Sequence, residues 1–204
     1  MGIALPLLKP LPRPGTGLLL GLLLTVYAHA AQTLSDGRSG PDPELRKILV
    51  AAIADSDSFA DRFDAEVWLT DMSHRLSRQV PDAEERLHIL KAVHRQAKLA
   101  GVEPELVLAV IDVESNFDRY AISTATALGL MQVMPFWPRQ LGMTNQELVR
   151  IPQNLRMGCT ILKFYLDRER GDYTRALARY NGSVGRRNYA DLVLERLARR
   201  WHYN

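Results

Sequence analysis

From residue 82 onward, apolar residues recur every three or four positions in separate blocks. That spacing gathers them on one face of an α-helix. Asp82, with Glu85 three places later, reads as a capping box opening the first block. Its apolar face is Leu90, Val93, Ala97 and Ala100, and Gly101 ends it. Pro104, at a first-turn position, opens a second helix that is almost wholly apolar over 106–113 and therefore reads as buried. Helical stripes also run through 155–168, 173–180 and 187–201. Residues 121–135 keep no such period and read as irregular backbone or short strand. Upstream, 45–54 predicts a short helix. Phe59, Phe63, Leu69, Met72 and Leu76 recur at helical spacing through a charged background, which predicts core. A peptide- or glycan-binding face using Trp68 is the alternative there. No strand-rich region and no repeat is found, so the fold class is mainly α.

The N-terminal residues follow a different pattern. Lys9 and Arg13 precede an apolar run over 17–26, and Ala28-His29-Ala30 fits a small-residue cleavage site. The run falls short of the ~20 apolar residues a membrane span needs. Residues 1–30 therefore read as a secretory signal peptide cleaved before Ala31, with an uncleaved anchor as the rival and Pro10, Pro12 and Pro14 as an unusual feature. The protein is expected to be exported or periplasmic, and no cysteine stands directly after the cleavage site to carry a lipid. Residues 31–43, rich in Gly, Ser, Asp and Pro, read as linker. The expected organisation is thus a signal peptide at 1–30, a linker and helical extension at 31–80, and one catalytic domain at 81–204.

Charge and composition remove several function classes. The chain of 204 residues carries 26 Lys and Arg against 23 Asp and Glu. Losing Lys9 and Arg13 with the leader leaves 24 against 23, so a nucleic-acid footprint is not indicated. Late arginines (Arg175, Arg179, Arg186, Arg187, Arg196, Arg199, Arg200) read as a solvated helix face, or as attraction to an anionic cell wall. The single Cys159 shares a stripe with Leu155, Leu162 and Leu166, which predicts a buried small hydrophobe. His74, His88, His94 and His202 form no metal-type pair, so no metal is expected.

Glu114 is the residue with chemical promise. Val107, Ile111 and Glu114 fall at i, i+4 and i+7, so this carboxylate continues a buried apolar stripe. Poor solvation disfavours its charged form, and the negative end of the helix dipole pushes the same way. A carboxyl kept protonated near neutral pH is what a general acid requires. By position alone, a structural ion-paired acid is an equal reading. Asp112 lies on another helix face, and Asp118, at i+4, could approach.

Four sequence segments decide between the two readings. Glu114-Ser115-Asn116-Phe117, Ala121-Ile122-Ser123 and Ala127-Leu128-Gly129-Leu130-Met131-Gln132-Val133-Met134-Pro135, followed by Ala178-Arg179-Tyr180-Asn181-Gly182, resemble the soluble lytic transglycosylase (SLT) family over roughly residues 85–195. The resemblance implies a lysozyme-like helical domain that cleaves peptidoglycan glycan strands with no cofactor. It makes Glu114 the catalytic acid. It places Ser123, Gln132, Met134 and Tyr180 where the family contacts sugars or the catalytic carboxyl, with Asn181 a neighbouring site residue. Asp118 aligns with a turn position of the motif, which favours a structural role. The implied product carries a 1,6-anhydromuramoyl end. The rivals are a hydrolysing goose-type muramidase on the same fold and a wall-binding accessory of an envelope or secretion machine. Two positions depart from the family pattern: Thr126 stands where Gly is usual, and Gly182-Ser183 replaces Ala-Gly.

Overall fold

The computed structural model describes residues 58–140 and 144–203. The expected leader, the linker and the short helix at 45–54 lie outside them. Among the described residues the chain is helical, with isolated β-bridges in place of strands.

Helix α1 spans Arg62–Leu76, its first turn capped by the Asp61 carboxylate, which accepts from the Asp64 amide at 2.9 Å. Leu69, Met72 and Leu76 are fully buried, as the stripe predicts, and Ala65 is buried with them. Phe63 is not part of it. Its side chain is 72% exposed, because at about 100° per residue it sits some 120° around the helix from Leu69. Trp68 is core rather than a binding face: it is 3% exposed and its indole N–H donates to Glu105 at 2.6 Å.

Helix α2 spans Ala83–Ala100. Asp82 accepts from the Glu85 amide at 2.7 Å, while the Glu85 carboxylate faces Arg119 at 3.8 Å. Gly101 closes the helix in the left-handed region at φ 72°. Helix α3, Pro104–Glu114, has Leu106 through Ile111 fully buried. It is apolar on every side because other helices surround it, and each of its large side chains contributes about 1.5–3 kcal/mol by burial before chain entropy is counted.

Beyond Pro135 come a short α4, Phe136–Gln140, and a 3₁₀ turn, Asn145–Val149. Then follow α5, Ile151–Arg168, α6, Tyr173–Asn181, and α7, Asn188–Arg196. The predicted last helix changes character at its end: Leu197–Trp201 is a π turn. Helix α2 packs on α5, α5 on α6, α6 on α7, α1 on α2, and α3 against α7 and the π turn. Helix α1 is therefore built into the same helical unit. The net effect is to bring the C-terminal end of α3 against α7, with Glu114 at the contact.

Candidate active site

Glu114 is the last residue of α3 and is half-buried. Burial raises its carboxyl above the ordinary range, and a hydrogen bond from Tyr189 opposes that rise in part. The Tyr189 hydroxyl donates to Glu114 Oε1 at 2.6 Å. Burial and the neighbouring Glu114 charge hold both Tyr189 and Tyr180 well above the usual phenol range, so both stay protonated donors.

The chain leaves α3 through a strained turn. Asn116 and Phe117 take φ of 49° and 67°, the left-handed region, which Asn tolerates and a bulky Phe avoids. At Phe117 such backbone costs of order 1–3 kcal/mol and persists only where its surroundings impose it. Here the Phe117 ring is 3% exposed and packs on Trp201, centroids 5.4 Å apart. Ser115 Oγ donates to the Leu130 carbonyl at 2.8 Å, which ties the turn to the next segment.

Residues 121–135 form a tight backbone cluster. Leu128 bridges antiparallel to both Ile122 and Val133. Gly129 adopts φ 72°, and a Cβ there would lie 2.4 Å from Asn154 Nδ2 and 2.9 Å from the Leu148 carbonyl. Asn154 is 1% exposed and fully used. Its Nδ2 donates to the Leu128 and Leu148 carbonyls at 2.8 and 3.0 Å, and its Oδ1 accepts from the Met131 amide at 2.9 Å. Tyr180 donates to the Met131 carbonyl at 2.7 Å. Met131 is thus gripped at both backbone polar groups, and its side chain fills the space above Gly158.

The structure treats the sequence candidates unequally. Tyr180 faces Glu114 and holds the Met131 carbonyl of the cluster, and Gln132 is woven into the same cluster, donating through Nε2 to the Ala121 and Gly129 carbonyls at 3.1 and 2.9 Å. Ser123 turns the chain, its Oγ accepting from the Ala127 amide at 3.0 Å. Met134 is half-buried just before Pro135, and Asn181 is exposed at the end of α6. Of these five, none hydrogen-bonds Glu114 directly.

The departure at Thr126 has a physical cost. Thr126 takes φ 66°, left-handed backbone that a β-branched residue tolerates poorly. Thr126→Gly should relieve of order 1–3 kcal/mol of strain and give back about 0.4–1 kcal/mol through the freer unfolded chain. A net gain of about 1 kcal/mol is expected, read as a melting temperature higher by roughly 2–4 °C. A lower melting temperature would show that the turn carries less strain than the freer unfolded chain gives back.

The other carboxylates are engaged elsewhere. Asp112 is buried and accepts from Trp201 Nε1 at 3.0 Å and from Arg200 at 3.2 Å. Asp118 is exposed and accepts from the Tyr120 amide at 2.8 Å, a local turn bond. Cys159 is buried, its thiol pushed up to about 12 by desolvation. Among the described residues no cluster of potential metal ligands occurs.

Tyr189, Asn154 and Trp201 are the residues that sequence reading missed. A phenol on the stripe Tyr189, Val193, Leu197 could have drawn attention, since a buried hydroxyl needs a partner. Nothing local marks Asn154 or Trp201, whose partners lie far away in the chain.

A family model described as the transglycosylase SLT domain matches residues 91–193. The membrane-bound lytic murein transglycosylase C of Actinobacillus pleuropneumoniae serotype 5b is 52% identical over 46 residues, 22% of this chain and 13% of that protein. The transglycosylase of Enterobacteria phage PRD1 is 36% identical over 89 residues, 44% of this chain and 32% of its own. The solved structure of an inactive mutant of the lytic transglycosylase Slt from Pseudomonas aeruginosa aligns with a TM-score of 0.44 at 20% identity, over 78% of this chain and 34% of that one. The aligned parts span about a third or less of each of these relatives.

Proposed function

The chain belongs to the transglycosylase SLT domain family, and on that premise we propose that it is an exported lytic transglycosylase. Its substrate in this reading is peptidoglycan, cleaved at the β-1,4 bond between N-acetylmuramic acid and N-acetylglucosamine. The observation that carries the proposal is the environment of Glu114: a carboxyl desolvated at the end of a buried helix and held by the Tyr189 hydroxyl.

The reaction follows from having one such acid. Protonated Glu114 gives its proton to the glycosidic oxygen as the bond from C1 of the muramic sugar breaks, and the N-acetylglucosamine portion leaves as an alcohol. The sugar's own acetamido group supports the cation developing at C1. Glu114, now a carboxylate, takes the proton from the 6-hydroxyl of the same sugar, and O6 closes onto C1. The acid is restored, and a 1,6-anhydro ring remains. An internal nucleophile has a large effective-concentration advantage over water. Hydrolysis by the usual route would require a second carboxylate. Asp112 is held under Trp201 and Arg200, and Asp118 is bound into a turn, so neither suits that role.

In this reading Ser123, Gln132, Met134, Tyr180 and Asn181 contact the sugars or brace the acid. Tyr180 and Gln132 do so from a rigid base, because the backbone they hold is itself anchored by Asn154.

The test is the mass of the product. Digests of purified sacculi should yield muropeptides with anhydro ends, lighter by one water, about 18 Da, than the reducing-end products of a hydrolase. Predominantly hydrated ends in a fresh digest would refute the transglycosylase and favour the muramidase.

A further inference from the structure

Helix α7 and its π turn grip the end of α3 at two points. Tyr189, in the first turn, bonds Glu114. Trp201, at the far end, is fully buried, donates to Asp112 and packs on Phe117. Those two contacts bracket Glu114, two residues before it and three after. The π turn makes the second grip geometrically available. In an uninterrupted α-helix, residues 189 and 201 would face about 120° apart, at roughly 100° per residue. A one-residue π insertion reduces that to about 20°, so both side chains point at α3.

The second grip is anchored from outside. The Arg200 guanidinium lies 4.6 Å over the Trp201 ring, bonds Asp112, and also reaches the Arg75 carbonyl at 2.8 Å and Gln79. Arg75, paired with Asp71, donates to the Arg200 carbonyl at 2.6 Å and the His202 carbonyl at 2.9 Å. Arg75, Arg200 and Trp201 all lie outside the residues matched by the family model, 91–193, whereas Asp112 and Phe117 lie within it.

We propose that Trp201 is a positioning residue for Glu114, holding both flanks of the acid through Asp112 and Phe117, with α1 as the outer anchor through Arg75. The inference rests on the reading of Glu114 as the proton donor, and it gives α1 a part in the chemistry. A loosened α3 end would admit water to Glu114 and lower its proton affinity. The groups facing that carboxyl are Tyr189 from α7 and Tyr180 from α6, and neither changes in the variants below.

The experiment uses the full chain with Trp201→Phe, which keeps an aromatic ring near Phe117 and removes the N–H to Asp112. On solubilised uncrosslinked glycan strands, kcat should fall about ten-fold with KM within about two-fold, the pattern of lost transition-state positioning. The alkaline limb of the kcat/KM profile should move to lower pH, and the Glu114 carboxyl, followed by ¹³C NMR, should titrate at lower pH than in the parent. Loss of fold stability alone would move neither. Arg75→Met, at the half-exposed outer anchor, should shift both readouts the same way by less, and serves if Trp201→Phe does not fold. An unshifted Glu114 titration in a folded variant, with kcat at the parent level, would overturn the proposal. Glu114→Gln run alongside separates the two ideas: if it retains activity, the reading of Glu114 fails independently of Trp201.

Discussion

Replacing Glu114 with Gln should lower turnover on peptidoglycan strands by roughly a thousand-fold, within the 10²–10⁴ that a positioned acid supplies. That corresponds to about 4 kcal/mol at the transition state. The amide keeps the shape and can still accept from the Tyr189 hydroxyl, but has no proton to deliver. Stability should move the other way. A carboxyl whose folded pKa is raised binds its proton more tightly in the fold than in the unfolded chain. Its contribution is therefore lost as pH rises through that range, whereas Gln never ionises. The variant should melt at the same temperature as the parent in acid and at a higher one in neutral or mildly alkaline buffer. Asp118→Asn is the contrast, because Asn can still accept from the Tyr120 amide, and activity should remain near the parent level. Substantial cleavage by a folded Glu114→Gln protein would remove Glu114 from the mechanism. Equal losses in the two variants would revive a two-carboxylate hydrolase.

The parts of this fold that were legible in the sequence are those set by local chemistry. Asp82, Gly101 and Pro104 mark helix ends because caps, left-handed backbone and fixed φ act within a turn of the residue concerned. Cys159 reads as buried because its stripe repeats over three turns, and it is buried. The reading failed where side chains choose between faces. Phe63 falls at helical spacing with Leu69, Met72 and Leu76 yet faces solvent, whereas Trp68 is core, as the stripe predicts, and its indole N–H reaches Glu105 on α3. Periodicity counts apolar residues; it does not say which face a neighbouring helix will cover.

The candidate site divides along the same line. Glu114 stood out because a carboxylate on an apolar stripe is a local anomaly. Its partner Tyr189 lies 75 residues away, and no period connects them. Asn154 is a polar residue on the buried face of α5, and its purpose appears only once the 128–131 backbone is seen folded over it. The π turn is equally hidden: 187–201 keeps a helical stripe, and only packing against α3 shows the change of register.

The dependence of the site on that buried backbone leads to the other large effect, Gly129→Ala. Two glycines here share the left-handed conformation, Gly129 at φ 72° and Gly182 at φ 78°. An added Cβ costs about 1–2 kcal/mol at either position through backbone strain. At Gly182 it would meet nothing within 4 Å, so the cost should end there. At Gly129 it would meet Asn154 Nδ2 at 2.4 Å and the Leu148 carbonyl at 2.9 Å. Asn154 cannot swing away cheaply, since it is buried and that nitrogen serves two carbonyls. Displacing it forfeits those bonds at about 1 kcal/mol each and releases the Met131 amide, whose carbonyl Tyr180 holds. Gly129→Ala should therefore lose roughly 3–4 kcal/mol against about 1–2 for Gly182→Ala. That separation would appear as melting temperatures several degrees apart. The folded fraction of Gly129→Ala should also be impaired in turnover, because Leu130 and Met131 are the anchors for Ser115 and Tyr180 beside the acid. If the two alanine variants melt together, the Asn154 cradle does not hold the site, and the rigidity attributed to 121–135 must come from Ser115 and Gln132 instead.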